Sequence, residues 1–169
     1  KEVGRYGIQI AGAALPVESD LSPYGTMLID SQNRIIKLVE KPDQETKDRI
    51  FERKPGTKVP TNWADYHWSL EVMDSLIKEY SELYQKVALD TAGQLFEAGT
   101  AKSEEEWLEK WQKTEKFRRR YSPEDWRAIY KSAQRLKDRY GFGFIDTGED
   151  AIFADTGTNE IYYQNLQEL

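Results

Sequence analysis

A strand-type pattern fills residues 8–42, gives way to a long helical block, and returns at Phe142. A chain that switches hydrophobic period twice in this way must pack helices against a sheet, so the fold class is α/β. Ile8 to Val17 is an apolar, small-residue run that reads as a buried strand closed by Pro16. Tyr24–Asp30 and Arg34–Glu40 flank the polar turn Ser31-Gln32-Asn33, which makes them a hairpin; Pro42 ends it. Asp43 to Phe51 reads as a short helix, Lys54–Thr57 as a loop, and Asn62–Ser69 as a strand that runs directly into a helix. Leu70, Met73, Leu76, Ile77 and Tyr80 recur at helical spacing and predict a helix over 70–81, and a second over 85–98 ends at Gly99.

The block 103–140 holds two capped helix starts. Ser103-Glu104-Glu105-Glu106 matches a capping box, with Trp107, Leu108 and Trp111 on one face behind it. Ser122-Pro123 places a cap before a proline at the first helical position, and Trp126, Ile129, Tyr130, Ala133, Leu136 and Tyr140 follow at helical period. After Phe142–Ile145, a second strand is expected at Ala151–Ala154 and a last helix from Asp155 through Leu166. The expectation is a mixed, largely parallel sheet in a single domain over 1–169, with 80–140 a helical insertion within it.

Composition narrows the functions. The 169 residues fit one domain. No cysteine is present, which excludes a disulfide framework, thiolate zinc sites and a Cys nucleophile and agrees with a reducing, cytoplasmic setting. A single histidine, His67, excludes multi-His metal sites. A net charge of -6 and a mean hydropathy of -0.79 argue against a bulk grip on nucleic acid or anionic lipid, and no apolar run is long enough to cross a bilayer. The basic run Lys113, Lys116, Arg118, Arg119 and Arg120 sits beside Glu104, Glu105, Glu106 and Glu109, so it reads as a solvated helix end. Two Asp-Thr-Gly triplets, at 146–148 and 155–157, lie too close together for the two lobes of an aspartic protease; turn chemistry suits Asp146 and Asp150 better. Trp107, Trp111 and Trp126 sit at core spacing, and His67 on a strand end reads as a structural residue rather than an acid or base. Lys1 stands where an initiator Met would be, so the chain reads as a piece of a larger protein.

The hairpin ends in Val39-Glu40-Lys41-Pro42. Adjacent strand residues face opposite sides, but the bend before Pro42 can bring both tips together. Such a pair can accept from sugar hydroxyls through Glu40 and hold a phosphate through Lys41; read alone, it is also an ordinary charged strand end in water.

Its context is more specific. Pro16-Val17, then Tyr24-Gly25 and the hairpin through Glu40-Lys41-Pro42, resembles the middle of the sugar-nucleotide pyrophosphorylases, the sugar-1-phosphate nucleotidyltransferases that make ADP-, dTDP- or UDP-glucose. Phe153-Ala154-Asp155-Thr156-Gly157-Thr158 resembles that family's aromatic-x-Asp-x-Gly-Thr. The resemblance covers about 8–78 and 142–169. It implies the sugar-binding, C-terminal part of a GT-A, Rossmann-like nucleotide-diphospho-sugar transferase fold. It further implies that Gly25, Glu40 and Lys41 line a sugar-phosphate pocket and that Asp155 helps hold a catalytic Mg²⁺, with a sugar 1-phosphate and a nucleoside triphosphate as the parent's substrates.

There are departures. The family shows Gly, then an aromatic two residues later, in the strand entering the next helix; His67 and Ser69 are read at those places. Phe153 stands where Trp is common. No G-x-G-x-R loop for the triphosphate occurs in this sequence, so the isolated chain is expected to be inactive. These departures and the insertion also fit a degenerate regulatory or protein-interaction domain of the same fold. A carbohydrate-binding module using exposed tryptophans is a third, weaker reading. The amphipathic block 103–140 offers an interface for a homo-oligomer.

Overall fold

The structure, a computed structural model, describes residues 5–51, 54, 56–84, 91–113 and 121–148. Its strands are β1 Ile8–Gly12, β2 Ala14–Pro16, β3 Gly25–Ile29, β4 Ile35–Val39, β5 Lys58–Asn62, β6 Asp65–Trp68 and β7 Phe142–Asp146. Its helices are α1 Gln44–Ile50, α2 Leu70–Tyr84, a π-helical segment Thr91–Glu97 that continues as α3 Ala98–Thr100, α4 Glu104–Gln112 and α5 Pro123–Tyr140. The expected strand at 151–154, the last helix, residues 85–90 of the second helix and the basic run beyond Lys113 lie outside the described residues.

The strands form two sheets, ordered β6-β1-β7 and β2-β5-β3-β4. The expected mixture of helices and a mixed sheet is present. The expected parallel majority is not: among the described residues the β1–β7 ladder is parallel, and β1–β6, β2–β5, β3–β4 and β3–β5 are antiparallel. The reason lies in the connections. Parallel strands need a long connection, and β1 and β7, which pair that way, are separated by most of the chain, whereas the short turn between β3 and β4 can only return a strand antiparallel.

The apolar run from Ile8 divides at Ala13 into a strand of each sheet. β5 crosses there: Thr61 donates both its backbone N–H (2.9 Å) and its hydroxyl (2.7 Å) to the Ala13 carbonyl, and a side chain at Gly12 would run into the Thr61 carbonyl. β5 itself is a strand that sequence reasoning misses, because Pro60 lacks a ladder donor. It is tolerated because Pro60 pairs with Ala14 of β2, while the ladder to β3 begins only at Thr61.

The helical block shares one core with the β6-β1-β7 sheet. Ile8, Ile10, Phe142 and Phe144 pack in the same buried cluster as Phe96, Trp107, Trp126, Ile129 and Leu136. Trp107 meets both Trp111 and Trp126 through its ring (5.2 and 5.7 Å between centroids) and donates Nε1–H to the Trp126 carbonyl at 3.1 Å, so all three tryptophans are core, as their spacing predicts. Burying side chains of this size contributes about 2–3 kcal/mol each. At the start of α5, Ser122 Oγ accepts from the Asp125 N–H while the Asp125 carboxylate accepts from the Ser122 N–H, a full capping box. At α4 the box is half formed. Ser103 Oγ accepts from the Glu106 N–H, but the Glu106 carboxylate turns to the Lys102 N–H and the Lys37 ammonium.

α5 also finishes its neighbours. Gln134 donates to the Ala98 carbonyl and Lys137 to the Gly99 carbonyl, satisfying groups that α3 leaves open at its C-terminus. Gly141, at φ 70°, then turns the chain directly into β7. The helix expected over 70–81 extends to Tyr84, and its buried stripe is Val72, Leu76, Tyr80 and Leu83. Leu70, Met73 and Ile77, part of the apolar pattern that predicts this helix, are exposed instead. No described helix is long and apolar enough to cross a membrane.

Candidate functional site

The hairpin sets the site's register. Asp30 accepts from the backbone N–H groups of Gln32 and Arg34 (2.9 Å each) and from Arg34 Nε (3.0 Å), and Asn33 takes a left-handed φ of 60° at the turn. These bonds, the Arg34 N–H first, hold the Asp30 carboxyl below its ordinary pKa. From that turn the ladder runs to Thr26 opposite Val39, while on the other side Thr26 faces Thr61 and Gly25 faces Asn62. One residue beyond Val39, Glu40 therefore closes a cross-strand row with Gly25 and Asn62.

Gly25 makes that row possible. A Cβ built on it would lie 2.5 Å from Glu40 Oε2, 3.2 Å from Asn62 Cβ and 3.4 Å from Asn62 Nδ2. The Glu40 carboxylate thus occupies the space over the middle strand that any other residue at 25 would fill. Two of the three residues expected to line a pocket are brought together, the carboxylate of one filling the space left by the other.

Lys41, the third, is exposed and left-handed at φ 42°, followed by the buried Pro42. It stands next to Glu40 in the chain. Asp155, the expected metal ligand, lies outside the described residues. Among those described, no group of three or more His, Asp or Glu is placed to hold a metal ion.

The outer side of β4 is held by the helical block. β4 is the last strand of its sheet, so its outward N–H groups have no ladder partner. Leu38 donates instead to Thr100 Oγ1 at 3.1 Å, and Glu40 donates to Glu97 Oε1 at 2.5 Å. Glu97 ends the π-helical segment with a side chain 3 % exposed, and its Oε1 also takes the Lys110 ammonium from α4 at 2.5 Å. Lys110 lines an open cleft of about 750 Å³ between β4, α1 and α4, whose other charges include Lys37, Arg49 and Glu106.

Asn62 continues the site into β6. Its Oδ1 accepts from the Ala64 N–H at 2.8 Å, and Ala64 has a left-handed φ of 57°. Left-handed backbone is where glycine is cheapest, and an aromatic, Tyr66, follows two residues later. Tyr66 stacks between Trp68 and Phe96 at 5.8 and 5.7 Å. His67 points to the other face, where its Nε2 lies 3.3 Å from Asp65 Oδ2, both exposed. Ser69 accepts from the Val72 N–H and starts α2. Asp146 accepts from the Gly148 N–H, so the first Asp-Thr-Gly triplet is a turn, as expected; Asp150 and the second triplet lie outside the described residues.

Sequence reasoning misses Asn62, Ala64, Glu97 and Lys110. One signal existed for Glu97: it is the single charged residue between Thr91 and Thr100, in a stretch otherwise small, apolar or neutral.

In comparisons with known proteins, the family model for nucleotidyl transferases matches residues 7–168. No curated protein sequence matches the chain significantly.

Proposed function

Because the chain belongs to the nucleotidyl transferase family, we propose that it forms the sugar-1-phosphate side of a nucleotidyl transfer, with glucose 1-phosphate the first candidate. The observation that carries this reading is the Glu40 carboxylate lying over Gly25 beside Asn62. A carboxylate held at a strand end suits a polyhydroxylated ring, because a carboxylate oxygen can accept from a sugar hydroxyl.

In the reaction, a phosphate oxygen of the sugar 1-phosphate attacks the α-phosphorus of a nucleoside triphosphate. The new P–O bond forms as the bond to the bridging oxygen breaks, and pyrophosphate leaves with its electron pair. Such transfer depends on positioning and electrostatics and needs no covalent nucleophile on the protein. Glu40 orients the sugar through its hydroxyls, Gly25 leaves the space that the Glu40 carboxylate takes, and the exposed Lys41 ammonium meets its phosphate. Mg²⁺, the ion proposed for this family member, would be held by Asp155 and would offset phosphate charge. With no G-x-G-x-R segment in its 169 residues, the chain by itself is proposed to bind the sugar phosphate without turning it over.

A thermal-shift titration tests this. Glucose 1-phosphate, with and without Mg²⁺, is compared with free glucose and inorganic phosphate. A ligand that binds only the folded state adds about 2.7 kcal/mol at about 100 Kd, which raises Tm by roughly 5–10 °C for a domain of this size. The expected shift appears with the sugar phosphate and is lost in Glu40→Ala and reduced in Lys41→Ala. No shift with any sugar phosphate would overturn the reading.

A further inference from the structure

We propose that Glu97 is a positioning residue for Glu40, and that the helical segment 91–112 thereby sets the sugar-binding carboxylate; this rests on the sugar-phosphate reading above. The geometry is specific. Glu40 leaves β4 at its outer edge, where a backbone N–H has no strand to bond, and donates to the Glu97 carboxylate. Two residues earlier the same edge is held by Thr100 Oγ1, a neutral hydroxyl. At Glu40 the acceptor is a buried carboxylate, and the chain must also bring up Lys110 to neutralise it.

A buried charge is unfavourable unless paired, and a hydroxyl suffices for Leu38 on the same edge. What the charge adds is a shorter, stronger and more directional bond. It falls on the residue whose side chain crosses to Gly25 and whose successor reverses the chain at φ 42°. The amide is thus fixed from the helical side at the residue whose carboxylate lies over Gly25 of β3. Glu97 does this from the end of a π-helical segment, a distortion that recurs at functional sites.

The test compares Glu97→Ala, Glu97→Gln, Glu40→Ala and the Glu40→Ala/Glu97→Ala double variant by titration calorimetry with glucose 1-phosphate and a set of deoxyglucose 1-phosphates. Glu97→Ala is expected to weaken glucose 1-phosphate binding about tenfold and to flatten the same hydroxyl preference that Glu40→Ala flattens. In the Glu40→Ala background it should add less than about twofold, since residues acting through one another are not additive. Glu97→Gln keeps an acceptor for the Glu40 N–H and should stay within about threefold of the unsubstituted chain, with its hydroxyl preference intact. A purely structural role would lower Tm without moving that preference.

If Glu97→Ala does not fold, the unsubstituted chain still decides: on saturation with glucose 1-phosphate, exchange of the Glu40 amide proton should slow by at least about tenfold, and an unchanged rate overturns the inference. Binding that Glu40→Ala weakens and Glu97→Ala leaves alone overturns this inference by itself. Absence of sugar-phosphate binding by the unsubstituted chain overturns the sugar-phosphate reading and this inference with it.

Discussion

The carboxylate of Glu40 stands where a side chain at Gly25 would stand, with Oε2 2.5 Å from the position of the missing Cβ. The conflict is with the far end of a flexible side chain, so Gly25→Ala is expected to displace the carboxylate rather than the strand. Replacing a strand glycine also lowers the entropy of the unfolded chain. Stability should therefore stay within about 1 kcal/mol of the unsubstituted protein or rise, while affinity for glucose 1-phosphate falls about tenfold. Urea unfolding and calorimetry on the same preparation separate the two; a parallel loss of both would assign Gly25 to the fold alone.

Ala64 predicts the opposite kind of change. Its φ of 57° is costly for a residue with a Cβ, and Asn62 Oδ1 holds the turn by accepting from its N–H. Ala64→Gly relieves about 1 kcal/mol after allowing for the added freedom of the unfolded chain. For a domain of this size that is a Tm increase of about 2–4 °C, measurable by calorimetry. A decrease would mean that the surrounding chain does not fix this turn.

How much of this was legible in the sequence follows from the range of each interaction. Hairpin, caps and helices are written in neighbouring residues: Asp30 bonds Gln32 and Arg34, Ser122 bonds Asp125, and the tryptophans of α4 and α5 recur at helical spacing. Glu40 and Gly25 were paired through resemblance, and the antiparallel register explains why they meet. What escaped depends on contacts made across the chain. The division at Ala13 needs Thr61, the support of Glu40 needs Glu97 and Lys110, and β5 hides behind Pro60. The exposure of Leu70, Met73 and Ile77 was equally illegible, because α2 carries two apolar stripes and only packing decides which is buried.

The shared core bears on whether the helical block is an appendage. Trp107 is 1 % exposed and lies in one cluster with Phe96 and the β7 residues Phe142 and Phe144. Trp107→Ala should destabilise the chain by about 3–5 kcal/mol, a large part of the stability of an ordinary domain. Helix and sheet are expected to unfold in a single transition, at the same midpoint by far-ultraviolet circular dichroism and by tryptophan fluorescence. Two separated transitions would show that the block folds independently of the sheet.

The pairing of Glu79 with Arg135 ties α2 to α5 and sets an acid-side prediction. The Arg135 guanidinium donates to the Glu79 carboxylate through both Nε and Nη2, and this bond holds the Glu79 carboxyl below its ordinary pKa. A carboxyl depressed in the folded state binds protons more readily when unfolded. Its contribution is therefore complete above the unfolded pKa, roughly 4.3–4.5, and disappears as the pH falls through the lower folded value. Arg135 is largely exposed and the pair is screened, so Glu79→Gln should lower the unfolding free energy at pH 7 by no more than about 1 kcal/mol. That difference should persist at pH 6 and shrink toward zero as the pH is brought below 4. Paired urea titrations of both proteins across this range give the answer, and a difference that stays constant down to pH 3 would mean that the ion pair contributes nothing to the acid dependence of folding.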